Sequence, residues 1–131
     1  MQNIEEKKSK IITICGSMKF KDEMIKVALQ MELAGNVVLA PSYPINDDTA
    51  VYTEKEIILL GKMHKEKIKL SDAIFVVNVN GYIGDSTKIE IEYAKMHNKE
   101  IIYLEQEIKE QKNEYTVVSR SYDQDKKDDG R

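Results

Sequence analysis

Asp72-Ala-Ile-Phe-Val-Val-Asn-Val79 and, after Asn80, Gly81-Tyr-Ile-Gly-Asp-Ser-Thr-Lys-Ile-Glu-Ile-Glu-Tyr-Ala94 decide the fold of this chain. The apolar run from Ala73 to Val79 reads as a buried strand. A glycine-bearing loop follows, then a helix start. That order puts Glu90 in the first turn of a helix at the carboxyl edge of a sheet, where open α/β sheets bind ligands. A carboxylate there can be a nucleophile, a base or a cap.

Working outward, Ile11-Ile-Thr-Ile-Cys15 is short and apolar, as a strand buried on both faces would be. Gly16-Ser17 ends it. Phe20, Met24, Val27, Ala28 and Met31 then recur at helical spacing, which predicts a helix from about Lys19 to Ala34, with Gly35 as its C-cap. Val37 to Ala40 reads as the second strand. The two prolines of Pro41-Ser-Tyr-Pro44 and the polar residues up to Thr49 make a loop. Thr53 with Glu56 forms a capping-box pattern, opening a helix that runs to about Leu70. Ile57, Leu60, His64 and Ile68 share one face of it. The third helix is expected at Thr87 to His97 and the fourth strand at Glu100 to Leu104.

Beyond Glu105 the pattern weakens. A short helix to Lys112 and an edge strand at Tyr115 to Val118 are expected, with one domain spanning 1–118. The charged, apolar-poor stretch 119–131 reads as a disordered tail. The order β-α-β-α-β-α-β implies parallel strands with right-handed crossovers. The fold class is therefore α/β, a flavodoxin-like or Rossmann-like three-layer sandwich. Its sheet holds four to five strands in the order 2-1-3-4. The loops after strands one and three flank the point where the strand order reverses, so Gly16-Ser17 and Gly81 to Thr87 should face one cleft.

Composition narrows the function. The chain has 131 residues, 41% of them apolar and 33% charged, as in an ordinary soluble globular domain. A net charge of −3 gives no electrostatic case for a nucleic acid polymer. No apolar stretch approaches the roughly 20 residues that span a bilayer, and the first ten residues lack the apolar core of a signal peptide. Cys15 is the single cysteine, which excludes an internal disulfide and points to the cytoplasm. Two histidines and one cysteine, far apart in sequence, show no metal-ligand spacing. No metal or cofactor is expected.

Several residues could carry chemistry. The turn Cys15-Gly16-Ser17 offers backbone amides and a hydroxyl to a phosphate or sugar, or simply caps a helix. Thr87-Lys-Ile-Glu90 fits a capping box, so Glu90 can be structural. Asp72 can likewise do no more than hold the start of its strand. Tyr43 can stack on a base or anchor its loop, and Tyr82, beside Gly81, can close over a ligand. Ser86 can hold a phosphate together with helix amides, although Asp85 beside it opposes one. His64 can reach the cleft or stay structural. Cys15, with no basic partner evident, reads as a buried strand residue rather than a nucleophile.

From Ile11 to Leu104 the chain resembles the nucleoside 2-deoxyribosyltransferase-like family, which includes base-exchanging transferases and N-glycosidases of nucleoside 5′-monophosphates. The resemblance rests on Cys15-Gly16-Ser17, on Ser71-Asp72-Ala-Ile-Phe-Val-Val77, on Glu90-Ile-Glu-Tyr-Ala94 and on Asn98-Lys-Glu-Ile-Ile-Tyr-Leu104. It implies Glu90 as a nucleophile at the anomeric carbon and Asp72 as the assisting acid or orienting group. It implies nearby tyrosines and the strand-one loop, Gly16 and Ser17, around the sugar and its 5′ group; with Tyr43, Gly81, Tyr82 and Ser86 from the loops these make up the expected substrate-binding set. It also implies a homodimer or larger homo-oligomer. The chain departs from the family at Ile91 and Glu92, where glycine often follows the catalytic glutamate. The expected activity is cleavage or transfer at the N-glycosidic bond of a nucleoside, nucleotide or related ribosyl compound. The alternatives are a non-catalytic nucleotide-binding module, an NAD- or cyclic-nucleotide-handling glycohydrolase, and a plain interaction domain.

Overall fold

A computed structural model describes residues 9–43 and 52–105. Within them lie β1 (Ile11–Gly16), α1 (Lys21–Leu33), β2 (Val37–Leu39), α2 (Glu54–Leu70), β3 (Ala73–Val77), α3 (Asp85–Met96) and β4 (Glu100–Tyr103). The four strands are parallel in the order β2-β1-β3-β4. This is the expected α/β, Rossmann-like sandwich. The expected short helix, edge strand and tail after Glu105 lie outside the described residues. No helix among the described residues is long and apolar enough to cross a membrane.

Strand alternation distributes the core to two faces. Ile14 and Val77 point to one side, where they pack with Met24 and Val27 of α1. Cys15, Ile74 and Val76 point to the other, against Ile68 of α2 and Ile91 and Ala94 of α3. Ile14, Met24, Ile68 and Ile74 are fully buried, each stabilising the fold by roughly 1.5–3 kcal/mol. The alternation also has a functional consequence. Cys15, at the carboxyl end of β1, faces the layer formed by α2 and α3.

Local structure follows local chemistry, with three adjustments. Met18–Phe20 form a 3-10 turn before α1, and the Ser17 hydroxyl accepts a hydrogen bond from the Lys19 amide at 3.2 Å. β3 stops at Val77, two residues early. The buried Asn78 uses its side-chain oxygen to accept from the Glu105 amide, and a second 3-10 turn, Val79–Gly81, follows. Within that turn Asn80 and Gly81 both take positive φ, a conformation glycine adopts without steric cost. Finally, α3 begins at Asp85 behind Gly84, so Thr87 lies inside the helix and is buried. The Thr87–Glu90 capping box does not form, and Glu90 sits in the second turn. The Thr53–Glu56 box does form: Glu56 N–H donates to the Thr53 hydroxyl at 3.0 Å, and Thr53 N–H donates to the Glu56 carboxylate at 2.9 Å.

Candidate active site

The carboxyl ends of β1 and β3 lie side by side, with Gly16 in register with Val77. A Cβ on Gly16 would stand 3.1 Å from the Val77 carbonyl oxygen and 3.4 Å from the Met24 sulfur. Glycine lets the chain leave the sheet there without forcing β1 and β3 apart. A cavity of about 400 Å³ opens at this point. Gly16, His64 and Glu90 supply its polar wall, while Met18, Ile57 and Leu60 supply much of the apolar wall. Pro41, Ser42 and Tyr52 line it from the segments on either side of 44–51. The size and the mix of apolar wall with few polar groups suit a small organic ligand.

Three side chains from three elements converge on one side of this cavity. His64 Nε2 of α2 lies 3.5 Å from the Cys15 sulfur of β1 and 3.7 Å from Glu90 Oε1 of α3. Cys15 is wholly buried, and the side chains of His64 and Glu90 are 9% and 21% exposed. Burial pushes the Glu90 carboxyl up to about 7, against smaller opposing effects of the Cys15 thiol and Lys65. Burial, with Lys67 adding to it, pulls His64 down to about 4. The Cys15 thiol is held well above its ordinary range by burial first, then by the Glu90 charge and by their hydrogen bond. At neutral pH the His64–Glu90 contact is therefore not an ion pair. It joins a neutral imidazole to a carboxyl close to half-protonated, with a thiol donating to that carboxyl.

Cys15 thus has a histidine neighbour, contrary to the expectation of no basic partner, yet it stays a thiol because burial, and after it the Glu90 charge, disfavours the thiolate. The structure also separates Asp72 from Glu90. Asp72 precedes β3, on the amino edge of the sheet. There its carboxylate accepts from the Ile11 amide at 2.8 Å, and its own amide donates to the Ile11 carbonyl at 2.7 Å. The four residue steps from Ile11 to Cys15 rise about 13 Å along the strand. Asp72 locks the start of two strands and does not reach the cavity.

Of the other expected binding residues, Gly16 lines the cavity, and Ser17, Tyr43, Gly81, Tyr82 and Ser86 are not among its lining. Ser17 caps the turn before α1. Tyr43 packs against the Ile14–Met24 cluster, its hydroxyl buried without a hydrogen-bond partner among the described residues. Tyr82 is only 5% exposed and meets Phe20 edge-on at 5.8 Å, with the Lys19 ammonium 4.0 Å from its ring centre. It packs under the turn after β1. Gly81 shapes the 3-10 turn, and Ser86 is exposed on the first turn of α3. The residue most underweighted by the sequence is His64. Its place on the Ile57–Leu60–His64–Ile68 stripe was the available signal: a titratable group in an otherwise apolar face.

No family model matches the sequence, and no curated protein matches it. Among solved structures, the chain is similar to the 2-deoxyribosyltransferase from the psychrotolerant bacterium Bacillus psychrosaccharolyticus. The TM-score is 0.50 at 20% identity, covering 71% of this chain and 70% of that one. At this identity the likeness establishes the shared α/β fold.

Proposed function

We propose that this protein cleaves or transfers at the N-glycosidic bond of a nucleoside, nucleotide or related ribosyl compound, with Glu90 as the nucleophile at the anomeric carbon. The observation that carries the reading is the Glu90 carboxyl, largely buried yet open to a cavity of about 400 Å³ at the reversal of strand order. The likeness of the fold to a 2-deoxyribosyltransferase supports it.

The chemistry needs two things at once: an anion beside the sugar carbon and a proton for the departing base. The Glu90–His64 pair can supply both from a single proton. Moving it from Glu90 to His64 leaves a carboxylate to attack C1′ and an imidazolium to protonate the leaving group. The pKa gap, from about 7 to about 4, sets the cost of that transfer near ~4 kcal/mol before any attraction between the new charges. In the second half-reaction the neutral imidazole takes a proton from water or from an incoming base, and the carboxylate leaves. Water gives hydrolysis; a second base gives transfer. The Cys15 thiol, donating to the carboxylate, orients it.

We further propose a homo-oligomer. Ile58, Leu59 and Met63 on α2 and Ile89 and Met96 on α3 are exposed, which is apolar surface a second copy can cover. A concentration-independent monomer mass by light scattering would remove that proposal. The lone cysteine, free and buried, fits a reducing compartment such as the cytoplasm.

The deciding experiment is incubation with a pool of nucleosides, their 5′-monophosphates and NAD, followed by mass-resolved chromatography. Release of free base supports glycosidic chemistry, and the depleted compound names the substrate. Base exchange marks a transferase, and nicotinamide release marks NAD cleavage. An unchanged pool with folded protein, together with saturable binding of a nucleoside, would replace the enzyme with a binding module.

A further inference from the structure

Cys15, His64 and Glu90 stand 49 and 26 positions apart along the chain, so no metal-binding spacing exists in the sequence. The fold removes that distance. One donor atom from each of the three residues lies within 4.8 Å of the other two. A tetrahedral ion bonded at about 2.3 Å to sulfur and about 2.0–2.1 Å to nitrogen and oxygen sets its polyhedron edges near 3.3–3.6 Å. The observed edges are 3.5 Å for sulfur to nitrogen and 3.7 Å for nitrogen to oxygen. The third edge, sulfur to carboxylate oxygen, lies within 4.8 Å, so rotation of the Cys15 and Glu90 side chains must close the triangle around an ion.

We propose that Cys15, His64 and Glu90 form a three-donor site for a thiophilic divalent cation, Zn²⁺ by its donor set, with the fourth position open to the cavity. Sulfur and imidazole select against Mg²⁺ and Ca²⁺, which take oxygen donors. Three protein ligands plus an exchangeable position is the pattern of reactive rather than structural zinc sites. The three ligands come from β1, α2 and α3, so the sheet and two packed helices fix them. Cys15 is wholly buried, so the ion arrives through the cavity wall where His64 and Glu90 open.

Charge and protons balance. A thiolate, a carboxylate and a neutral imidazole neutralise one dication. The thiol proton, and any proton on the carboxyl, leave to solvent as the ion enters. With Nε2 on the ion, the ring proton sits on Nδ1, which is buried and has no acceptor among the described residues. The ring therefore lacks the outer-shell partner that tightens such sites. The bound ion is exchangeable rather than a permanent part of the fold. It also takes up the carboxylate that glycosidic chemistry would use, so zinc and that reaction exclude each other at Glu90. The site does not depend on the proposed reaction, and either can fail without the other.

The test uses the full chain, reduced and stripped with chelator, titrated with Co²⁺ and then with Zn²⁺. The expected result is one Co²⁺ per chain, with the intense visible bands of a four-coordinate ion and a near-ultraviolet thiolate charge-transfer band, all displaced by Zn²⁺. Cys15 is the only cysteine, so that band assigns its ligand without ambiguity. It should vanish in Cys15→Ser. Losing an outer-shell partner alone costs about 10–100-fold in affinity, so His64→Ala and Glu90→Gln should each weaken Co²⁺ binding by at least about tenfold. Circular dichroism confirms that each variant is folded. If Cys15→Ser does not fold, the two cavity-wall variants decide. Folded wild-type protein without a thiolate band would overturn the site. Unchanged affinity in either folded cavity-wall variant would overturn it as well.

Discussion

His64 Nε2 stands 3.7 Å from Glu90 Oε1, and burial drives the two groups in opposite directions: the carboxyl up to about 7, the imidazole down to about 4. Each would be charged at neutral pH in water or close to it. Here the apolar layer between sheet and helices penalises both charges, and the pair shares one titratable proton between about pH 4 and 7 that is half lost at neutral pH. Such pairs of groups with pKa values pushed apart are the arrangement from which acid and base roles are built.

Glu90→Gln keeps the shape of the side chain and removes the proposed nucleophile. We expect base release to fall by at least about 1000-fold, as when other enzymes lose the group that forms the covalent intermediate. Near-UV circular dichroism should be unchanged. Turnover within tenfold of wild type would remove Glu90 from the mechanism.

The same substitution has a signed effect on stability. Folded Glu90 keeps its proton up to about 7, whereas the unfolded group releases it near 4.5. Its contribution is therefore full below 4.5 and is lost as pH rises through 7. His64 runs the other way: protonated near 6.5 when unfolded but only near 4 when folded, its contribution is present above 6.5 and lost as pH falls toward 4. In the metal-free wild type the two slopes oppose one another between 4.5 and 6.5 and leave a plateau. Glu90→Gln removes the falling limb, so the variant should gain about 1–3 kcal/mol relative to wild type between pH 4.5 and pH 8. Urea denaturation across that range, with chelator present, measures it. A wild-type-to-variant difference that does not move with pH would contradict the buried-carboxyl description.

Asp72→Asn tests the separation of the two acidic residues. The change weakens a hydrogen bond to the Ile11 amide on an exposed edge and should cost about 0.5–1.5 kcal/mol of stability. Turnover per folded molecule should stay within a factor of two or so. A collapse in kcat with stability intact would return Asp72 to the catalytic machinery.

Much of the architecture was legible because it rests on local rules. Short apolar runs gave the strands, Thr53 and Glu56 gave the start of α2, and the β-α alternation gave the order 2-1-3-4. Glu90 was legible as a carboxylate after the third strand. Its place in the second turn was not, because Gly84, which has no side chain to cap with, starts the helix ahead of the better-looking Thr87. The place of Asp72 was legible from strand polarity: a residue before a parallel strand sits at the amino edge, and there its carboxylate meets the Ile11 amide. His64 could not be placed from sequence. Which side of α2 meets Cys15 depends on how the helix docks, and docking is set by the Ile68, Ile74 and Ile91 core. Tyr82 looked available for a ligand because nothing local shows that Phe20 returns to pack against it.

Gly16→Ala probes the point where the two strands leave the sheet. The added methyl would sit 3.1 Å from the Val77 carbonyl, which is sheet backbone and cannot swing aside, and 3.4 Å from the Met24 sulfur, which can. The strands must therefore separate by a few tenths of an ångström at the residue beside Cys15. Overpacking of this kind costs about 1–3 kcal/mol. Because Gly16 also lines the cavity, the shift should reach the Cys15–Glu90 contact, and activity should fall by more than the folded fraction does. Denaturation and turnover measured on the same preparation separate the two effects. If activity simply follows the folded fraction, Gly16 serves the sheet alone and the cavity wall tolerates its displacement.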